Sequence, residues 1–143
     1  MSAMSEENVE IVRRAWEAWE RGDWDPLYAF YHPDVVWDAS ALRGPITGVY
    51  HGHDGVRRYF REWLESFEAH DARAEKFIAA GDDVIVRLRL RGRGKTSGVE
   101  VEMARLNVYR IRNGLAIRVE LFETEAEALE AVGLGGKDAH SDS

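Results

Sequence analysis

Arg105, Asn107, Arg118 and Glu120 are the side chains of this sequence best able to act together on a small molecule. They flank Asn113-Gly114, a dipeptide suited to a two-residue type I′ turn because both central residues of that turn need positive φ. If the turn alone fixes the register, Tyr109 faces Arg118, Asn107 faces Glu120 and Arg105 faces Phe122, and the six side chains share one face of a hairpin. Arg105 and Glu120 are then diagonal neighbours with Asn107 between them. Such a set can orient a ligand carboxylate, carbonyl or leaving oxygen, and a structural salt bridge fits the pair equally well. The opposite face collects Leu106, Val108, Ile117, Val119 and Leu121. Two orientations follow. The aliphatic face packs under helices and the mixed face meets water, or the mixed face lines a pocket and the aliphatic face receives a second subunit.

Other constellations carry less. His51-Gly52-His53-Asp54 offers ligand types for zinc or iron, but the spacing lacks helical logic and a fourth ligand, so no metal is expected. Gly52 to Asp54 read instead as the entry and cap of a helix, with His51 at a pocket edge. Gly94-Lys95-Thr96 mimics the end of a phosphate-binding loop, yet Arg89 stands where that loop needs glycine and a strand follows. Arg87, Arg89, Arg91 and Arg93 are expected to pair across strands with Glu100 and Glu102 on a solvated surface, a basic patch for an anionic partner being the alternative.

The elements that must hold these groups are legible from periodicity. Val9, Val12, Trp16 and Trp19 recur at helical spacing after Ser5, a candidate cap, and Gly22 supplies the stop. Asp25-Pro26 opens a short helix through Leu27, Phe30 and Tyr31 that ends before Pro33, and Val35 to Asp38 reads as a strand. After an irregular stretch from Ala39 to Gly52, a third helix carries Val56, Tyr59, Phe60, Trp63, Leu64 and Phe67 on one face. From Arg73 the period becomes two, with turns at Gly81-Asp82 and Gly92 to Gly98. Val99 to Arg112 and Leu115 to Phe122 form the hairpin, and Thr124 with Glu127 makes a capping box for a last helix ending at Gly133. Residues 134–143 read as a disordered tail. Helices and strands segregated along the chain argue for a single α+β domain over residues 5–133.

Composition narrows the function. The 143 residues hold 19 Lys+Arg against 26 Asp+Glu, a net charge of −7 that disfavours a nucleic-acid partner. There is no cysteine, which excludes disulfides, thiolate metal sites and cysteine nucleophiles. No apolar run approaches the roughly 18 residues a membrane span needs, and Met1 to Asn8 has no signal-peptide pattern. A cytoplasmic protein without membrane contact is expected. Five Trp, five Tyr and five Phe supply a core or a pocket wall.

Asn8 to Gly22, Trp24 to Tyr31, Pro33-Asp34-Val35-Val36-Trp37, Tyr50-His51-Gly52-His53-Asp54-Gly55-Val56, and Asn113-Gly114 through Leu121-Phe122-Glu123 together resemble the SnoaL-like branch of the NTF2-like superfamily. The resemblance implies a cone in which three N-terminal helices pack in a strongly curved antiparallel sheet, with a short C-terminal helix, a pocket at the open end and frequent sheet-to-sheet dimers. That superfamily includes ketosteroid isomerases, polyketide cyclases, epoxide hydrolases and members that only bind, so fold does not choose a reaction. Set against the isomerases, Asp38 falls at their general base, Asn107 at their oxyanion-donating acid and Phe122 at a pocket wall. Their oxyanion tyrosine falls on Ala15, and Arg118 and Glu120 replace apolar residues, which argues against a steroid substrate.

On that resemblance the chain is expected to bind an apolar, carbonyl-bearing metabolite, and to act, if at all, without a cofactor by acid/base isomerisation, cyclisation or lyase chemistry. Asp38 is the candidate base and Asn107, Arg105 and Glu120 are its partners, with Trp37, Tyr28, His51, Tyr59, Trp63, Arg118 and Phe122 around the ligand. The alternatives are a binding or dimerising domain without turnover, and an epoxide-hydrolase-like activation of water by Asp38, Arg105 and Glu120. A homodimer through the outer sheet face completes the expectation.

Overall fold

The computed structural model describes residues 3–44 and 46–133. Chain order is α1 (Ala3–Arg21), α2 (Trp24–Phe30), β1 (Tyr31–Asp38), β2 (Val49–His51), α3 (Gly52–Ser66), β3 (Phe67–Ala80), β4 (Asp83–Gly94), β5 (Glu100–Arg112), β6 (Leu115–Phe122) and α4 (Glu125–Ala131). The strands form one curved, unclosed sheet in the order β2-β1-β6-β5-β4-β3. Only β1 with β6 is parallel. This is the expected α+β architecture of three helices, a curved sheet and a closing helix. The tail expected to be disordered lies outside the described residues.

Four boundaries moved for physical reasons. Tyr31, expected in the second helix, is already extended at φ −85° and ψ 133° and begins β1, so α2 ends at Phe30. Ser5 does not cap α1, which begins earlier; its Oγ instead donates to the Gly81 carbonyl at 2.7 Å, and Asn8 Nδ2 donates to the Asp82 carbonyl at 3.1 Å. These bonds tie the first turn of α1 to the β3–β4 turn and satisfy carbonyls there. The short strand β2 emerges from the stretch read as irregular, and β3 starts at Phe67, before the alternation becomes visible at Arg73. At the other end Thr124 and Glu127 form the reciprocal capping box, with Glu127 N donating to Thr124 Oγ1 at 3.2 Å.

The hairpin turn is as expected, with Asn113 at φ 53° and Gly114 at φ 80°. Its register is not. Arg112 faces Leu115 and Ile111 faces Ala116, but a bulge follows, and beyond it Arg110 faces Arg118, Tyr109 faces Val119, Val108 faces Glu120, Asn107 faces Leu121 and Leu106 faces Phe122. One extra residue, Ile117, sits in β6, and because side chains alternate with period two, that insertion turns the rest of the strand over. The six side chains expected on one face are therefore divided. Arg105, Asn107 and Tyr109 lie on the concave face with Val119 and Leu121, whereas Arg118, Glu120 and Phe122 lie on the convex face with Leu106 and Val108.

The concave face and the helices enclose the main core, which includes Val12, Leu27, Val35, Trp37, Val56, Val86 and Val119. A second, smaller core sits on the convex side, where Ile85, Leu106 and Val108 are covered by Ala128 of α4, with Leu129, Val132 and Phe122 packed around them. The continuous aliphatic face expected to receive a second subunit thus does not form. Two of its five members turn inward past the bulge, and the chain's own last helix covers Leu106 and Val108. Among the described residues no helix is long and apolar enough to cross a membrane.

Candidate functional site: an aromatic cavity with unpaired polar groups

Trp37 on β1, Tyr59, Phe60 and Trp63 on α3, and Trp16 and Trp19 on α1 wall a cavity of about 70 Å³. Each wall follows from local periodicity. Residues 16 and 19 share the face of α1 that carries Val12 and Ala15, residues 59, 60 and 63 share one face of α3, and Trp37 follows buried Val35 by two along β1. The rings hold one another in place: Trp37 lies 5.3 Å from both Tyr59 and Phe60, and Trp19 lies 5.2 Å from Phe60. The floor is the sheet, with Leu88 and Leu90 of β4, Arg105, Asn107 and Tyr109 of β5, and Leu121 of β6.

Polar groups are few in this wall, and three of them have no partner. Asn107 is 4% exposed, and its Nδ2 donates to the Tyr109 hydroxyl at 3.2 Å while its Oδ1 accepts nothing. Reversing the amide would pair the other end with Tyr109 and still leave one end unsatisfied. The indole N–H groups of Trp16 and Trp37 are buried without an acceptor in hydrogen-bond geometry, although Trp16 is near enough to Tyr109 to influence its phenol. A buried polar group left unpaired costs about 1–3 kcal/mol, and natural proteins keep few of them. Here the three residues that carry them all line one cavity.

The phenols are held neutral. Burial pushes Tyr109 up to about 12, only partly offset by its hydrogen bond with Asn107 and the nearby Trp16. Burial likewise raises Tyr59, against the lowering effect of the Arg105 charge, and Tyr31, which also lines the cavity. Arg105 is the one residue of the lining that carries a full charge at neutral pH, and the lining contains no carboxylate or imidazole. These groups can donate hydrogen bonds to a ligand oxygen and stabilise negative charge on it; none is a base at neutral pH.

Asp38, the expected base, is elsewhere. It follows Trp37, so its side chain points to the convex face, where Arg118 Nη2 donates to its Oδ2 at 2.7 Å and the Ser40 amide donates to its Oδ1 at 3.0 Å. Partial burial raises its pKa, but the hydrogen bonds from Ser40 and the Arg118 charge outweigh that and leave it below the ordinary carboxylate value. Glu120 lies beside it, 3.7 Å from Arg118 Nε, so the expected Arg105–Glu120 pair is replaced by an Asp38–Arg118–Glu120 cluster on the far side of the sheet. Phe122 packs under α4.

Of the remaining expected site residues, Trp37, Tyr59 and Trp63 reach the cavity together with Arg105 and Asn107. Tyr28 stands behind it, among the rings of Tyr31, Phe60 and His53, with the Arg57 guanidinium 4.6 Å over its own ring. His51 is exposed and edges a surface depression beside Arg57, Arg58 and Arg61. His53 Nε2 donates to the Tyr31 carbonyl at 2.7 Å, and no group of three or more potential metal ligands occurs among the described residues. Tyr109, placed on the mixed face of the hairpin by the sequence but given no role there, and Trp16 join the site as functional groups. Period-two spacing from Asn107 puts Tyr109 on the same face, whereas the unpaired indole of Trp16 has no sequence signal.

No curated protein matches this chain in sequence. Solved structures do. An NTF2-like protein of unknown function from Burkholderia pseudomallei K96243 is 26% identical, with 92% of this chain and 98% of that one covered and a TM-score of 0.71. An NTF2-like protein from Burkholderia thailandensis E264 is 25% identical over 87% of this chain and 95% of that one, with a TM-score of 0.74. A protein provisionally named a SnoaL-like polyketide cyclase, from Mesorhizobium loti, is 25% identical over 79% and 96%, with a TM-score of 0.66. Residues 12–119, which span every wall of the cavity but the far end of β6, match the model of the SnoaL-like domain, and the chain belongs to that family within the NTF2-like superfamily.

Proposed function

We propose that the chain binds a small, flat, largely apolar molecule bearing oxygen, and that it holds the ligand's oxygens against Arg105, Asn107, Tyr109 and the two indoles. The observation that carries this is that the three residues holding the unpaired Asn107 Oδ1, Trp16 Nε1 and Trp37 Nε1 all line one aromatic cavity. A ligand with both an acceptor and a donor satisfies all three and removes their desolvation cost. Membership of a family with a named polyketide-cyclase relative is consistent with such a substrate.

Binding is the centre of this reading because the cavity is equipped to polarise a carbonyl rather than to take a proton from it. Acid/base isomerisation through Asp38 loses its base to the convex face, and the water-activating trio of Asp38, Arg105 and Glu120 is split across the sheet. Where turnover accompanies binding, the contribution of Arg105, Asn107 and Tyr109 is to stabilise an oxyanion. The volume of about 70 Å³ is below the ~150 Å³ of a cavity that takes benzene, so the walls must yield even to one ring, and a four-ring sterol is out of proportion.

The test is a thermal-shift screen of one- and two-ring ketones, lactones, phenols and acids against the wild type and the double variant Asn107→Leu with Tyr109→Phe. Ligands should raise the wild-type Tm in a concentration-dependent way. The double variant removes the pair together, so it should fold with unchanged or higher Tm and lose the ligand response. Stabilisation that survives intact in the double variant would place the binding site somewhere else.

A further inference from the structure

We infer that the ligand of the aromatic cavity is an organic anion, a compact aromatic or similarly flat molecule whose carboxylate pairs with the guanidinium of Arg105. This rests on the binding reading above and extends it by fixing the sign and geometry of the ligand's charge.

Arg105 is out of keeping with the arginines around it. Arg87 and Arg89 share Glu75 at 3.6 and 3.0 Å, Arg91 lies 3.6 Å from Glu102, Arg110 lies 3.4 Å from Asp83, and Arg118 holds Asp38. All of those side chains are on the convex face, where water would solvate them even unpaired. Arg105 lies on the concave face, partly buried against aromatic rings, and among the described residues no carboxylate comes within ion-pair distance of it. Its hydrogen bond is from Nη1 to the carbonyl of its own neighbour Ala104, at 3.1 Å.

A cation partly withdrawn from water without a counter-charge costs stability, and a ligand anion would offset that cost. The Ala104 carbonyl takes one of the five guanidinium N–H groups. The Nε and Nη2 edge keeps the parallel pair of donors that matches the two oxygens of a carboxylate. The remaining lining supports the same sign. With the phenols of Tyr59 and Tyr109 held neutral and no acidic residue in the wall, the cavity carries a single positive charge within a chain of net charge −7. The indole N–H groups of Trp16 and Trp37 add further donors for anionic or carbonyl oxygen.

The experiment uses matched probes differing only in charge: benzoate with benzamide, phenylacetate with phenylacetamide, and cinnamate with cinnamamide, each titrated calorimetrically into wild type, Arg105→Lys and Arg105→Gln. In the wild type the acids should bind about tenfold or more tighter than their amides, as expected for a charge-assisted bidentate pair. The preference should shrink in Arg105→Lys, vanish in Arg105→Gln, and weaken with added salt. Amides binding as well as acids to the wild type would overturn the anion inference and leave the binding reading standing. Binding by neither series, while the broader screen also stays silent, would overturn both.

Discussion

The two faces of the sheet solve opposite problems with the same residue types. On the convex face every cation discussed above has a carboxylate: Arg89 Nη1 meets Glu102 at 2.8 Å, Arg93 meets Glu100 at 3.0 Å, and Arg118 meets Asp38 at 2.7 Å. On the concave face Arg105 has none, and an amide oxygen and two indoles stand unpaired beside it. Salt bridges in water are individually weak, so pairing out there decides little. Leaving polar groups unpaired where water is scarce is what costs stability, and that is where a ligand has most to gain. The contrast locates function by unsatisfied chemistry rather than by the density of charged residues, which would have pointed to the wrong face.

Four substitutions break or sharpen that contrast. The largest effect is expected in the small convex core. Leu106→Ala should cost about 2–5 kcal/mol in urea unfolding, because Leu106 is 1% exposed beneath α4 and its removal leaves a void. Leu121→Ala should cost at least about 1 kcal/mol less, since Leu121 already borders a cavity and has fewer contacts to lose. Equal costs would mean that the concave face is packed as tightly as the convex one.

A smaller effect is expected from Asp38→Asn, roughly 0.5–1 kcal/mol at pH 7. Asp38 has a native pKa below its unfolded value, so its contribution is complete above the unfolded pKa of about 3.9 and is lost as pH falls through the native one. The stability gap between wild type and variant should therefore close on acidification, while ligand binding is untouched; a variant that loses binding would return Asp38 to the cavity. Smallest of all, Glu102→Gln, which removes a carboxylate shared by Arg89 and Arg91, should change stability by less than about 0.5 kcal/mol, and by less still in high salt.

The order of elements was readable because each carries its own local signal. The apolar stripe of α3, the Asn113-Gly114 turn and the Thr124-Glu127 capping box depend only on neighbours in sequence. The site was readable in part, because Trp37, Tyr59, Trp63, Arg105 and Asn107 sit on elements whose buried face periodicity identifies. Arg118, Glu120 and Phe122 were misplaced by a bulge at Ile117 that no glycine marks. A clue was present, since the inward-reading Val119 and Leu121 of β6 are out of phase with Asn107 and Tyr109 of β5 when the turn alone sets the register, and an inserted residue reconciles them. The displacement of Asp38 follows from the same alternation: with Trp37 committed to the core, its neighbour must face away. The unpaired state of the two indoles is a property of three-dimensional surroundings and leaves no trace along the chain.

The parallel contact of β1 with β6 also bears on how the molecule assembles. The β3–β6 meander closes through short turns between consecutive strands, whereas Val36 must find Arg118 across most of the chain. Closing so long a loop is entropically slow, so the meander is favoured to form early and the segment running from α1 to α3 to dock onto it late. The cavity exists only after that docking, because its walls come from both halves. A molecule that binds only the finished cavity is therefore expected to slow unfolding rather than to hasten folding.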